Sequence, residues 1–214
     1  MKLYGHDTSP YVRRVRALLL ELGVPFERDV ADWLKPSADF LKASPIGRLP
    51  ALVVRENGAD LTLFDSKTIA GYLLAEHAPK AASADELPLQ ASLFSTTHRF
   101  ADENVLTAID TALDSAIALF IFERDGIERE SAPYLLRQAA RIDNCLAWLD
   151  TAYAGRTTLH DGTFGFVDLG LACCLDWLAF RKAKDFSDHS NLAAFYERNK
   201  SRASLVATDP RGAS

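Results

Sequence analysis

The sequence predicts a mixed α/β unit followed by an all-helical one. Two observations carry this. Over residues 1–78 short apolar runs alternate between strand and helix spacing, in the order β-α-β-α-β-β-α. Past residue 90 no strand pattern of any length recurs, and apolar residues repeat at helical spacing to the end. A third observation divides the two. The stretch "APKAASADELP" is rich in Ala, Pro and Ser and has no periodicity. The predicted organisation is therefore an α/β domain over 1–78, a linker over 79–87 and a helical domain over 88–214.

The elements follow in order. Lys2 to Gly5 reads as a strand. Pro10 suits a first helical turn, where its missing N–H costs nothing. Val12, Val15, Leu18, Leu19 and Leu22 then recur at helical spacing, and Gly23 and Pro25 stop the helix. "PFERDV" reads as a second strand, and residues 31–44 as irregular or weakly helical. "ALVV" and "LTLF" are strands joined through Asn57-Gly58, a strong hairpin signal. A helix is predicted from Ser66 to His77, with Ile69, Tyr72 and Leu73 facing inward. In the second domain, Leu89 to about Phe122 is a long helical stretch, either two helices or one with a kink. Another helix starts at Ser131-Ala132-Pro133 and carries Leu135, Leu136, Ala139, Ile142, Leu146 and Leu149 on one face. Leu169 to Phe180 is apolar on nearly all sides, the mark of a buried central helix. "NLAAFYERN" gives a last short helix.

Bulk properties narrow the function. The formal net charge of -5 argues against a nucleic-acid partner. Arg13, Arg14 and Arg16 form the tight basic cluster, and the expectation is a solvated helix face. "MKLYGHDTSP" turns polar after four residues, and no apolar run approaches the roughly 20 residues that span a bilayer. No leader and no membrane association are expected. Cys145, Cys173 and Cys174 are odd in number and lack metal-ligand spacing. They read as buried small apolar residues, no metal is expected, and a reducing cytoplasm is the expected location.

Three local features carry chemistry. Ser9 stands at the entrance to the first helix, where it can cap the helix or touch a substrate. Leu49-Pro50 precedes a strand. Asp65-Ser66 lies where a strand hands over to a helix. A helix N-terminus offers free N–H groups and the positive end of the dipole, which suit a carboxylate. Ser66 can cap that helix and donate a hydroxyl, while Asp65 suits an ammonium. A carboxylate beside an ammonium is the head of an amino acid.

With the motifs "TSPYVRRVRALLLELGVPFE", "SPIGRLPAL", "LFDSKTIAGYL" and, more loosely, "GTFGFVDLGLACCLDW", the chain resembles a cytosolic-type glutathione S-transferase over essentially its whole length. The resemblance implies a thioredoxin-like N-terminal domain and the family's all-helical C-terminal domain. It implies a homodimer and no resident cofactor, glutathione being a co-substrate. Pro50 takes the place of the family's cis-proline, and Leu49 would pair its backbone with the cysteinyl part of glutathione. Ser66 would hold the γ-glutamyl carboxylate and Asp65 the ammonium. Ser9 would face the thiol. Arg48 or Lys35 would meet the glycyl carboxylate. Tyr11 would line the pocket of the second substrate, a small hydrophobic electrophile.

A serine suffices for such chemistry. A free thiol titrates at roughly 8.5, and lowering it by about two units takes about 2.7 kcal/mol. A helix N-terminus supplies up to about 2 kcal/mol, and a hydrogen bond to a charged acceptor about 1.5–3 kcal/mol. Ser9 would stabilise the thiolate rather than attack. The other candidate hydroxyls are Tyr4, Thr8 and Tyr11. With no cysteine before Cys145, conjugation is favoured over thiol transfer. The alternative is a non-catalytic binding or regulatory protein on the same fold. Asp168 sits where the family's central helix has the acidic member of a capping box, but Gly165 replaces the usual hydroxyl, so Asp168 reads as structural. His98, Arg99 and Asp102 are expected on a solvated face, and His160 has no partner pattern.

Overall fold

A computed structural model describes residues 1–32, 34–77 and 86–212. The N-terminal unit contains β1 (Lys2–Tyr4), α1 (Pro10–Leu22), β2 (Glu27–Asp29), α2 (Ala38–Ala43), β3 (Ala51–Glu56), β4 (Ala59–Phe64) and α3 (Ser66–Glu76). The sheet order is β2-β1-β3-β4. β1 pairs with β2 in parallel and with β3 antiparallel, and β3 pairs with β4 antiparallel through the Asn57-Gly58 turn. This is a thioredoxin-like arrangement, as the sequence implies. α1 is held close to the sheet. A Cβ on Gly5, just past β1, would lie 2.4 Å from Val12 Cγ1, so only glycine lets the strand end pass under the helix.

The C-terminal unit is helical: α4 (Arg99–Arg124), α5 (Pro133–Ala152), α6 (Phe166–Arg181), α7 (Ser190–Asn199) and the short α8 (Ala203–Val206). α6 is the axis, buried continuously from Phe166 to Leu178 and packed against both α1 and α4. One hydrophobic core runs through both units, joining Val15 and Leu18 of α1 to Leu106 and Ile109 of α4 and to Leu171 and Leu175 of α6.

Several expectations are corrected. The stretch from Leu89 is not helical until Arg99. Leu89 instead bridges to Phe164, and Gln90 N–H donates to the Phe164 carbonyl at 3.0 Å. From Arg99 the helix continues unbroken to Arg124. Leu136 is exposed and Tyr72 half-buried, the Tyr72 hydroxyl donating to Glu56 at 2.8 Å. The irregular 31–44 segment contains α2, capped by Ser37. Most of the expected linker, 79–85, lies outside the described residues. Cys173 and Cys174 are buried and Cys145 half-buried, all as free thiols. By length and composition α4 could cross a bilayer, with a mean hydropathy of 1.8 over its most apolar stretch. Its apolar face is packed against α5 and α6, and the core helix of a water-borne fold passes the same test.

Asp168 has the structural role expected of it. Its carboxylate accepts from Gly165 N–H at 2.8 Å, from Leu159 N–H at 2.8 Å and from the Tyr153 hydroxyl at 3.0 Å. Half of the capping box is thus made, with no side chain at 165 to return the bond. Burial pushes the carboxyl up to about 6, against the pull of those donors. The folded state therefore holds a proton between about pH 4 and 6 that the unfolded chain lacks, so this group adds stability as pH falls through that window. Asp168→Ala is expected to lower stability by about 2–4 kcal/mol, since it orphans three buried donors. Asp168→Asn should remove this group's contribution to the pH slope. Denaturant titrations from pH 4 to 7 measure both effects.

Candidate functional site

The site lies where α1, the loop before β3 and the start of α3 meet α4. α1 begins at Pro10, with Ser9 as its N-cap; the Ser9 oxygen accepts from Val12 N–H at 3.4 Å. That long contact uses the hydroxyl only as an acceptor and leaves its proton to donate. Ser9 thus caps the helix. The Leu49–Pro50 peptide bond is cis. Leu49 lies outside the ladder, whose last pairs are Tyr4 with Ala51 and Ala51 with Phe64.

At the start of α3 the cap is not the residue expected. Asp65, not Ser66, is the N-cap: its Oδ1 accepts from Lys67 N–H at 2.8 Å. Asp65 has φ 72° and ψ 129°, a backbone that non-glycine residues rarely adopt and that costs on the order of 1–3 kcal/mol. Ser66 is buried, and its oxygen accepts from Arg14 Nε at 2.9 Å and Nη2 at 2.6 Å. With both lone pairs taken, the hydroxyl has only its proton to offer.

Arg14 is the residue that the sequence reading missed. The basic cluster was expected on a solvated face, yet Arg14 is 1% exposed and Arg13 5%. Arg14 holds Ser66 and, through Nη1, pairs with Asp110 of α4 at 2.6 Å. Its guanidinium lies 4.8 Å from the Tyr11 ring centre and 5.3 Å from that of Phe166. Gly170 of α6 approaches it closely enough that an added Cβ would sit 3.6 Å from Nη1. Arg13 pairs with Asp176 of α6 and donates to the Leu205 carbonyl. No local signal marks this: positions 13 and 14 lie off the apolar stripe of Val12 and Val15, and partners on α6, α3 and α4 bury them.

A cleft of about 130 Å³ opens at this junction. Tyr11 and Arg14 line it from α1, Arg48 and Leu49 from the loop, Asp65 and Ser66 from α3, and Asp110 and Asp114 from α4. Ser9, Pro50 and Lys35 are not among its lining residues. Lys35 lies exposed in the loop before α2, whereas Arg48 lines the cleft. The Tyr11 hydroxyl donates to Asp114 Oδ1 at 2.7 Å. Burial, and then that bond, holds the Tyr11 hydroxyl well above its ordinary range, so it stays a protonated donor. Asp102, expected on the surface, is 2% exposed; it binds His160 Nε2 at 2.8 Å and accepts from Ser95 N–H at 2.7 Å.

Comparison with known proteins matches residues 3–81 to the glutathione S-transferase N-terminal domain and residues 103–198 to the glutathione S-transferase C-terminal domain. The uncharacterized GST-like protein YibF of Escherichia coli K12 is 30% identical over 98% of both chains. The chain belongs to the glutathione S-transferase family. Among solved structures, a glutathione S-transferase of Methylobacterium radiotolerans in complex with glutathione sulfonate is 25% identical, with a TM-score of 0.80 over 98% of this chain and 94% of that one. A glutathione transferase family member from Pseudomonas fluorescens Pf-5 with bound glutathione is 25% identical, with a TM-score of 0.75 over 98% of both chains.

Within this glutathione S-transferase fold, Arg14 holds a conformation as much as a charge. Arg14→Met is expected to cost about 3 kcal/mol, because Asp110 loses its cation and Ser66 both its donors. Asp110→Asn keeps the Ser66 bonds and should cost less than half as much. Chemical denaturation of the three proteins side by side checks the order.

Proposed function

We infer that the protein is a glutathione transferase that stabilises the glutathione thiolate and adds it to a small hydrophobic electrophile. On this reading it works as a cytoplasmic homodimer, serves detoxification and needs no resident cofactor. The observation that carries the reading is the start of α3. There Ser66, with its oxygen saturated by Arg14, has a proton to give, beside the free carboxylate oxygen of a strained Asp65. That pairing suits the carboxylate and ammonium of a γ-glutamyl group. The family relationship and the glutathione-bound relatives point the same way.

The proposed roles follow from this anchor. The cysteinyl backbone would pair with the Leu49 N–H and C=O beside cis-Pro50. Its thiol would then lie toward the N-terminus of α1. There the Ser9 proton and the positive helix end favour thiolate over thiol. The thiolate sulfur attacks an electrophilic carbon and forms a thioether. The displaced electron pair leaves with a departing group or takes a proton from water. Tyr11 would flank the electrophile. Of the two candidates for the glycyl carboxylate, Arg48 is favoured because it lines the cleft and Lys35 does not.

Titration of the protein–glutathione complex, followed by thiolate absorbance, tests this. The bound thiol is expected to titrate one to two units below the free value of roughly 8.5. Ser9→Ala should move it back by about one to two units and lower kcat/KM about 10- to 100-fold with a model electrophile. Ser66→Ala should raise KM for glutathione and leave the thiol shift in place. Glutathione bound with an unshifted thiol would favour the binding-protein alternative.

A further inference from the structure

Arg48 and Asp114 face each other across the mouth of the cleft. Arg48 belongs to the loop of the N-terminal unit and Asp114 to α4 of the helical unit. The Arg48 Nη2 lies 3.9 Å from Asp114 Oδ1, at the long limit of an ion pair, and the two side chains are 65% and 59% exposed. Such a pair is weak and easily exchanged. The two ends are not equivalent. Asp114 is pinned from the other side, because the Tyr11 hydroxyl donates to the same Oδ1 at 2.7 Å. The Tyr11 hydroxyl also lies 3.3 Å from the Asp110 carbonyl, and its ring is stacked against buried Arg14. The carboxylate is therefore the fixed partner and the arginine the movable one. Asp110, the other acid of this wall, already has Arg14.

We propose that Asp114 is an internal stand-in for a ligand carboxylate: it holds Arg48 across the mouth of the cleft and yields it to the glycyl carboxylate of glutathione. This rests on the reading of the cleft as a glutathione site. A carboxylate that arrives with both oxygens free can take the guanidinium in a two-point contact. Asp114, which shares one oxygen with Tyr11, offers a single long one. Asp114 acts through Arg48 and is a positioning residue. Its consequence is selective: it weakens binding of ligands that need Arg48, and only those.

The test is a double-mutant cycle read by glutathione affinity in the full-length protein, with the glycyl ethyl ester of glutathione as the second probe. The ester keeps the thiol and the γ-glutamyl head and lacks the glycyl carboxylate. Both residues are exposed, so the variants should fold. Asp114→Asn is expected to tighten glutathione about two- to fivefold, the range of an exposed ion pair. It should change the ester's affinity much less. Arg48→Ala should weaken glutathione, leave the ester nearly unchanged and abolish the effect of Asp114→Asn. Equal tightening of glutathione and ester, or tightening that persists without Arg48, would mean that Asp114 acts only as a general negative field, and would overturn the proposal. So would an Arg48→Ala protein with unaltered glutathione affinity. In those outcomes the wild type still binds glutathione, and the glutathione-site reading stands. A wild type that binds neither probe overturns that reading and this proposal together.

Discussion

A buried guanidinium cannot be left unpaired, and in this protein that constraint organises the site. Arg14 sits in the interior of α1 with almost no access to water. Taking a charge out of water costs several kcal/mol unless partners replace the lost hydration. The partners come from two other elements: Ser66 at the start of α3 and Asp110 on α4. The demand of one side chain thus fixes where three helices meet. The cleft is the space left at that meeting, and the group that faces it from α3 is the hydroxyl that Arg14 has oriented.

Two further arginines extend the same logic. Arg13 pairs with Asp176 of α6, and Arg202 makes a two-point contact with Glu21 of α1 at 2.6 and 2.8 Å while stacking on Phe164. α1 is therefore bound to the helical unit by charge as well as by the apolar stripe of Val15, Leu18 and Leu19. Apolar packing is not directional, whereas paired guanidinium groups fix rotation and register. The strain at Asp65 belongs to the same economy: an unfavourable backbone persists because α3 and its cap hold it, and it lies at the edge of the cleft.

The strands, the hairpin at Asn57-Gly58, α1, α3 and the buried α6 were legible because each depends on local chemistry. Periodicity, a proline in the first turn and a turn dipeptide act over a few residues. The errors arose where a distant group decided the outcome. Residues 89–98 have helix-forming composition, but backbone bonds of Pro88 and Gln90 to Phe164 hold Leu89 in a bridge, and the chain then bends and turns until Arg99. Asp102 looked like a surface acid because nothing nearby in sequence announces His160, 58 residues away. Ser66 looked like a cap because serine is a good one, and Asp65 displaced it by adopting a conformation that no propensity predicts.

By itself, the sequence determined the two-part fold, the positions of the serine that caps α1, the proline before β3 and the Asp-Ser pair, and the family to which they belong. Those are properties of residue order, and order is what local physics reads. Tertiary structure alone decided that Arg13 and Arg14 are buried and that Arg14 orients Ser66. It likewise set Arg48 against Asp114, and brought Asp110 and Asp114 to the cleft. The physical reason is range. A cap or a turn is settled within about four residues. The fate of a charge is settled by what lies across the interface, and that is known only once α1, α3 and α4 have packed.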